Sequence, residues 1–235
     1  MAKVGAVLLA AGSSVRFGAD NKLLADIGGR PLIRSVAEAI TQGDIVSEVI
    51  VVTGYDQPLI ERALDGLRLR FANNPNWPKG MGSSIAVGAS ALGSNLDGAF
   101  IMPGDMPLVP AALLERLIKE FVQTQGASII FPATASGAQR NPVLWPRRFF
   151  ALLTSLSGPE GGKLSLNALA EYRNAVLVAD ESVFTDIDTA EDLAYSTPAQ
   201  RGTKQLLPRS RVIEIETGQK LAASAGTGLP SIASR

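Results

Sequence analysis

The sequence predicts an α/β fold, a mostly parallel, doubly wound sheet with helices on both faces. Three observations predict it. The first apolar run, Val4–Ala10, is continuous instead of alternating, as expected of a parallel strand buried on both sides. Strand-like and amphipathic helical segments then alternate along most of the chain. Finally, 235 residues, 46% of them hydrophobic, can bury the core of one such domain with an appendage.

Each element has its own signal. After the first strand, Pro31 can open a helix as its first residue, with Leu32, Ile33, Val36, Ala37 and Ile40 as one apolar stripe. Residues 47–53 (SEVIVVT) form a β-branched strand, followed by a short helix over 59–64 and a strand over 67–72. A helix of small residues covers 83–92, and 98–102 is the next strand, ending in Pro103-Gly104-Asp105. Pro110 starts a helix with Leu113, Leu114, Leu117, Ile118, Phe121 and Val122 on one side. Strands are predicted over 127–131, 142–145, 175–178 and 184–187, and helices near 147–156, 163–172 and 189–196. Composition shifts after Pro198. The expected domain is 1–198, and 199–235 is a tail with six basic and two acidic residues, expected to be partly disordered. Within it, RVIEIE (Arg211–Glu216) alternates well enough for a strand.

Composition excludes whole classes of chemistry. With no cysteine and no histidine there is no disulfide, thiol nucleophile, Cys/His zinc site or Ser-His-Asp unit. A metal must sit on oxygen ligands, which points to a hard cation such as Mg²⁺. Twenty-two basic against 22 acidic residues give zero net charge, which argues against a nucleic-acid partner. MAKVGAVLLAAG imitates a signal peptide, but its apolar run is short and holds Gly5 behind a single Lys. No run approaches the roughly 18 apolar residues of a membrane helix. The expectation is a cytoplasmic protein with no membrane partner.

Ligands of such sheets bind beyond the carboxyl ends of the strands. Directly after the first strand come Ala10-Ala11-Gly12-Ser13-Ser14, then Arg16, Gly18 and Lys22. Amides of a Gly/Ser loop can cradle anionic oxygens, and the two cations suit a triphosphate. The spacing is neither a P-loop nor a GxGxxG fingerprint. An ordinary turn with solvated Arg16 and Lys22 would read the same way. Asp105 follows a strand, where a metal–triphosphate would dock, or organises an Asx turn. Asp186 and Asp188 alternate along FTDID and can share a face, although Asp188 also reads as a helix cap.

These elements in this order resemble the nucleotidyltransferases of the molybdenum-cofactor pathway, and within them the molybdopterin cytidylyltransferases. The matching pieces are LAAGSSVRFGADNKLL (Leu9–Leu24), NPNWPKGMGSSIAVG (Asn74–Gly88), PGDMPLV (Pro103–Val109), RNPVLW (Arg140–Trp145), LSGPEGGK (Leu156–Lys163) and DIDTAEDL (Asp186–Leu193). The resemblance implies a GT-A, Rossmann-like fold and transfer of a nucleoside monophosphate to the terminal phosphate of molybdopterin. It also implies release of pyrophosphate, and a molybdoenzyme that receives the product is one partner to expect. It implies that Leu9, Ala10, Ala11, Gly12 and Ser13 hold the nucleotide, with Ser83 and Ser84 near it. Arg16 and Lys22 would bind the triphosphate; these two and Asp105 would be catalytic. Asp105, with Asp186 or Asp188, would hold Mg²⁺, and Asn141, Pro142 and Val143 would face the acceptor. Leu-Ala-Ala-Gly favours CTP, since guanylyltransferases of this group typically carry Leu-Ala-Gly-Gly. Where members often have Gly-His-Pro or Gly-Asn-Pro, this chain has Arg140-Asn141-Pro142. The rival readings are a GTP-using or sugar-phosphate nucleotidyltransferase, a nicotinamide-dependent oxidoreductase and a non-catalytic cofactor-binding protein.

Overall fold

The computed structural model describes residues 2–13, 21–159 and 161–185. The first strand, β1 (Val4–Ala10), is central: it pairs in parallel with β2 (Glu48–Thr53) on one side and β4 (Gly98–Pro103) on the other. β3 (Arg70–Asn73) extends the sheet beyond β2. On the far side, β6 (Val143–Pro146) runs antiparallel to β4 and to β5 (Ile129–Ala133). The last described strand, β7 (Arg173–Leu177), is parallel to β5. The order is β3-β2-β1-β4-β6-β5-β7, seven strands among the described residues. The chain leaves β1 towards β2 and β3, then crosses back to β4. The strand order therefore reverses between β1 and β4, and the crevice at such a reversal is where ligands bind.

Alternation along the strands divides the core between the two faces. Val4, Ala6, Leu8 and Ala10 of β1 pack with α1 (Leu32–Thr41), α2 (Gln57–Ala63) and α4 (Ala111–Gln123). Val7, with Ala11 just beyond the strand, packs with α3 (Met81–Ala91), α5 (Phe150–Thr154) and α6 (Lys163–Ala168). This is the doubly wound arrangement, produced by period-two side chains in a strand buried on both sides. Gly88 is required where α3 meets the sheet, because a Cβ there would lie 2.2 Å from Val7 Cγ1.

Two expectations need correction. Val122, expected on the buried side of its helix, is 50% exposed; α4 buries Leu113, Leu114, Leu117 and Phe121. A 100° helical step carries Val122 beyond the stripe that a single sheet face can cover. The strand predicted over 184–187 does not begin at Phe184, which closes a 3₁₀ turn, Glu181–Phe184, capped by Asp180, whose side chain accepts from the Ser182 amide. Thr185 follows that turn without strand pairing, and residues 186–187, the predicted helix 189–196 and the tail 199–235 lie outside the described residues. Among the described residues no helix is long and apolar enough to cross a membrane.

Overpacking at Gly88 should be costly. Gly88→Ala is expected to lose about 1–3 kcal/mol, read as a lower thermal midpoint, whereas Ser90→Ala on the exposed side of α3 stays within about 0.5 kcal/mol. An unchanged midpoint in Gly88→Ala would show that α3 is not seated on β1.

Candidate active site

The site is built from loops at the carboxyl ends of β1 and β4. Gly104 donates its amide to the Leu9 carbonyl at 2.9 Å, tying the end of one strand to the loop after the other. A Cβ at Gly104 would lie 2.7 Å from that carbonyl oxygen, so only glycine allows the approach. Asp105 is thereby delivered beside the β1 loop. Lys22 reaches it from a 3₁₀ turn, Lys22–Leu24, capped by the buried Asn21, whose side-chain oxygen accepts from the Leu23 amide at 3.1 Å. Asn21 in turn donates to Asp56 at 3.4 Å. Lys22 Nζ donates to Asp105 Oδ2 at 2.6 Å, and the two side chains are only 14% and 20% exposed.

Asp105 Oδ1 is buried and has no hydrogen-bond partner among the described residues. An unsatisfied carboxylate oxygen costs about 1–3 kcal/mol or more, so this atom is open to a donor or a cation. Its chemistry fits a hard divalent cation, whose other ligands come from phosphate and water. Among the described residues no group of three carboxylates gathers. Arg16, Asp186 and Asp188, expected at this site, lie outside the described residues.

A second loop cluster is set by Asn74, which is 1% exposed. Its side-chain nitrogen donates to the Ser83 hydroxyl at 2.9 Å and to the Ser84 hydroxyl at 3.0 Å. Its oxygen accepts from the Asn76 amide at 3.0 Å. The two serines at the start of α3 are therefore fixed by one buried amide. Gly82 donates to the Gly158 carbonyl at 2.9 Å, which seats the 156–159 loop against this helix start. Nearby, Trp77 meets Tyr55 edge-on at 5.6 Å, a packing contact.

Between these loops and the α3, α5 and α6 face lies a cavity of about 660 Å³. Leu9 and Pro103 line it from the strand ends, Asn141 and Val143 from the start of β6, and Trp145 from within β6. Pro142, expected beside them, is buried and does not line it. Sequence reasoning missed three polar residues of the cavity wall: Gln139, Asn167 and Arg173. None belongs to a motif, and Arg173 merely opens an edge strand. Arg147 and Arg148 are not part of the cavity lining. Arg147 donates to the Ser94 and Leu96 carbonyls, and Arg148 donates to the Ala127 carbonyl and stacks on Phe149 and Tyr172.

The family model of the MobA-like NTP transferase domain matches residues 6–175. The chain belongs to that family. Lys22, Asp105, both serines and the Asn141–Val143 segment all fall inside the matched span. A relative named a probable molybdenum cofactor guanylyltransferase, from Haloferax mediterranei, is 34% identical over 132 residues, 55% of this chain and 59% of its own. The nicotine blue oxidoreductase of Paenarthrobacter nicotinovorans is 27% identical over 194 residues, 81% of this chain and 94% of its own. Among solved structures, a Mycobacterium tuberculosis protein in complex with manganese aligns with a TM-score of 0.64 at 22% identity, covering 83% of this chain and 97% of that one. That likeness concerns the fold: a mostly parallel sheet with helices, here carrying an orphaned carboxylate oxygen suited to a divalent metal.

The metal reading has a direct check. With a nucleoside triphosphate present, Asp105→Asn should weaken Mn²⁺ binding, followed by electron paramagnetic resonance, by at least about tenfold, the lower end of what even outer-shell ligand partners cost. Unchanged Mn²⁺ affinity would remove Asp105 from the metal site.

Proposed function

We propose that this protein is a divalent-metal-dependent nucleotidyltransferase that moves CMP from CTP to the terminal phosphate of molybdopterin, within a domain spanning residues 1–198. The observation that carries the reading is the Lys22–Asp105 pair, with its buried, unpartnered Oδ1, at the strand-order reversal of a MobA-like domain. A phosphate monoester has a second pKa of about 6, so it is largely dianionic at neutral pH and needs no general base. A chain without histidine can therefore do this chemistry. An oxygen of the acceptor phosphate attacks the α-phosphorus of the nucleotide. The bond from that phosphorus to the bridging oxygen breaks, and its electron pair leaves with pyrophosphate. A cation on Asp105 would neutralise phosphate charge. Lys22 places a positive charge beside the same oxygens, with Arg16 assigned to them as well. Leu9, Ala10, Ala11, Gly12 and Ser13 present backbone groups to the nucleotide. Ser83 and Ser84, held by Asn74, flank it, and Asn141 and Val143 contact the acceptor. Asp186 or Asp188 would complete the metal ligands, and Mg²⁺ is the ion we assign.

The base is assigned from Leu9-Ala10-Ala11-Gly12, while the haloarchaeal relative is named for guanylyl transfer, so GTP is the competing donor. A second reading comes from the oxidoreductase relative, whose match runs along 81% of this chain. Against it stand the missing dinucleotide fingerprint after β1 and the lack of any histidine to donate a proton.

One assay separates these. The protein is incubated with each nucleoside triphosphate, Mg²⁺ and purified molybdopterin, and pyrophosphate is measured; NADH and NADPH oxidation is followed in parallel. Release with CTP is expected. Release with GTP alone reassigns the base, and nicotinamide oxidation without pyrophosphate overturns the reading. Lys22→Ala should lower turnover by at least about a hundredfold, as loss of one charge-stabilising donor does elsewhere.

A further inference from the structure

Beside Arg140 and Arg173, three amide side chains line the cavity, Gln139, Asn141 and Asn167, and among the described residues no carboxylate does so. Asn141 and Asn167 are exposed, and each can turn either end of its amide to a ligand. Gln139 cannot. Arg173 Nη2 donates to Gln139 Oε1 at 3.0 Å. An arginine carries donors only, so the amide end that faces it has to be the oxygen. Arg173 is itself held, its guanidinium carbon lying 4.9 Å from the Phe131 ring centroid. The backbone beneath the glutamine is fixed as well. Gln139 bridges to Ala133 of β5, and the next residue, Arg140, donates its amide to the Pro132 carbonyl at 2.8 Å.

With the oxygen engaged, Gln139 offers a ligand only its Nε2. Among the described residues that nitrogen has no acceptor, and unlike Arg173 Nε it is not sealed in protein, so a ligand can reach it. The pair thus gives one place on the cavity wall a fixed hydrogen-bonding sense: it donates and cannot accept. A carbonyl oxygen placed there is satisfied, whereas an amino group would set donor against donor. The neighbouring wall is apolar, with Ile101, Val143 and Trp145. Apolar walls with a few oriented polar groups suit a flat ring read along one edge.

We propose that Gln139, its amide orientation set by Arg173, donates to the ring carbonyl of a planar heterocycle bound in this cavity and so selects a 4-oxo pterin over its 4-amino counterpart. Gln139 is then a specificity-determining residue, and Arg173 is a positioning residue that acts through it. This rests on the nucleotidyl-transfer reading, whose acceptor carries such a ring, and names the side chain that recognises it.

Two measurements on the full chain test this. The first needs no activity. Binding of 2-amino-4-oxopteridine and of 2,4-diaminopteridine, in which an amino donor replaces the carbonyl, is followed by the fluorescence anisotropy of the ring. Wild type is expected to prefer the oxo ring by at least about tenfold, the scale of one hydrogen bond exchanged for an unsatisfied donor. Gln139→Glu keeps the shape but only accepts, and should reverse the preference. Arg173→Met frees the amide to turn over, so both rings should bind with nearly equal affinity. Arg173→Lys still faces the glutamine with donors alone and should retain the preference. The second measurement is steady-state turnover, in which Gln139→Glu should raise KM for molybdopterin by about the same factor and leave the nucleotide KM unchanged. No saturable binding of the oxo ring to wild type, equal affinity of wild type for the two rings, or a preference that survives Gln139→Glu overturns the inference. Arg173→Met that weakens both rings alike and keeps their ratio assigns Arg173 to structure and also overturns it. If no nucleotide and molybdopterin ever yield pyrophosphate, the functional reading fails, while the two titrations still decide the role of Gln139.

Discussion

A lysine and an aspartate 83 residues apart meet at 2.6 Å across the crevice between β1 and β4, and the organisation of the site depends on that contact. It is not an ordinary surface ion pair, which contributes about 0–1 kcal/mol. Both partners are mostly buried, and the carboxylate keeps one oxygen with no donor among the described residues. Burying charge that is incompletely paired costs stability. The fold carries that cost in the crevice where polyphosphate and metal chemistry would relieve it. Pre-set charges that need no rearrangement during reaction are the largest source of transition-state stabilisation for charged intermediates.

The scaffold explains how the pair is held. Gly104 permits β4 to end against the Leu9 carbonyl, and Asn21 caps the turn that aims Lys22. Both loops follow strands that are buried on two faces. Around them, one buried amide, Asn74, orients two serines, and the cavity beside the strand ends is lined by Leu9 and Pro103 as well as by Gln139 and Arg173.

Much of this was legible in the sequence. β1 spans Val4–Ala10 as read, because a run buried on both sides needs only its apolar residues and the following turn to be recognised. The stripe of α1 is buried residue for residue. Lys22 and Asp105 could be named because each follows a strand signal in a recognisable motif. Other features follow from tertiary placement. Val122 fits the helical period yet falls outside the covered face, and Phe184 has strand character but sits in a turn fixed by Asp180. Gln139 and Arg173 are 34 positions apart and are brought together by the pairing of β5 with β7. No local pattern encodes such a meeting. Asn74 opens a motif whose spacing gives it no role, since it holds two hydroxyls that only the folded loop brings near.

The central claim is that Lys22 and Asp105 act as one unit on the nucleotide. A double-mutant cycle tests it most directly, with kcat/KM for the nucleotide measured in Lys22→Met, Asp105→Asn and the double variant. Groups that act as a unit give strongly non-additive losses. The double variant is therefore expected to lose about as much as the worse single one. Losses that simply multiply would mean that the two residues work independently, and that their contact in the crevice is not the organising feature of the site.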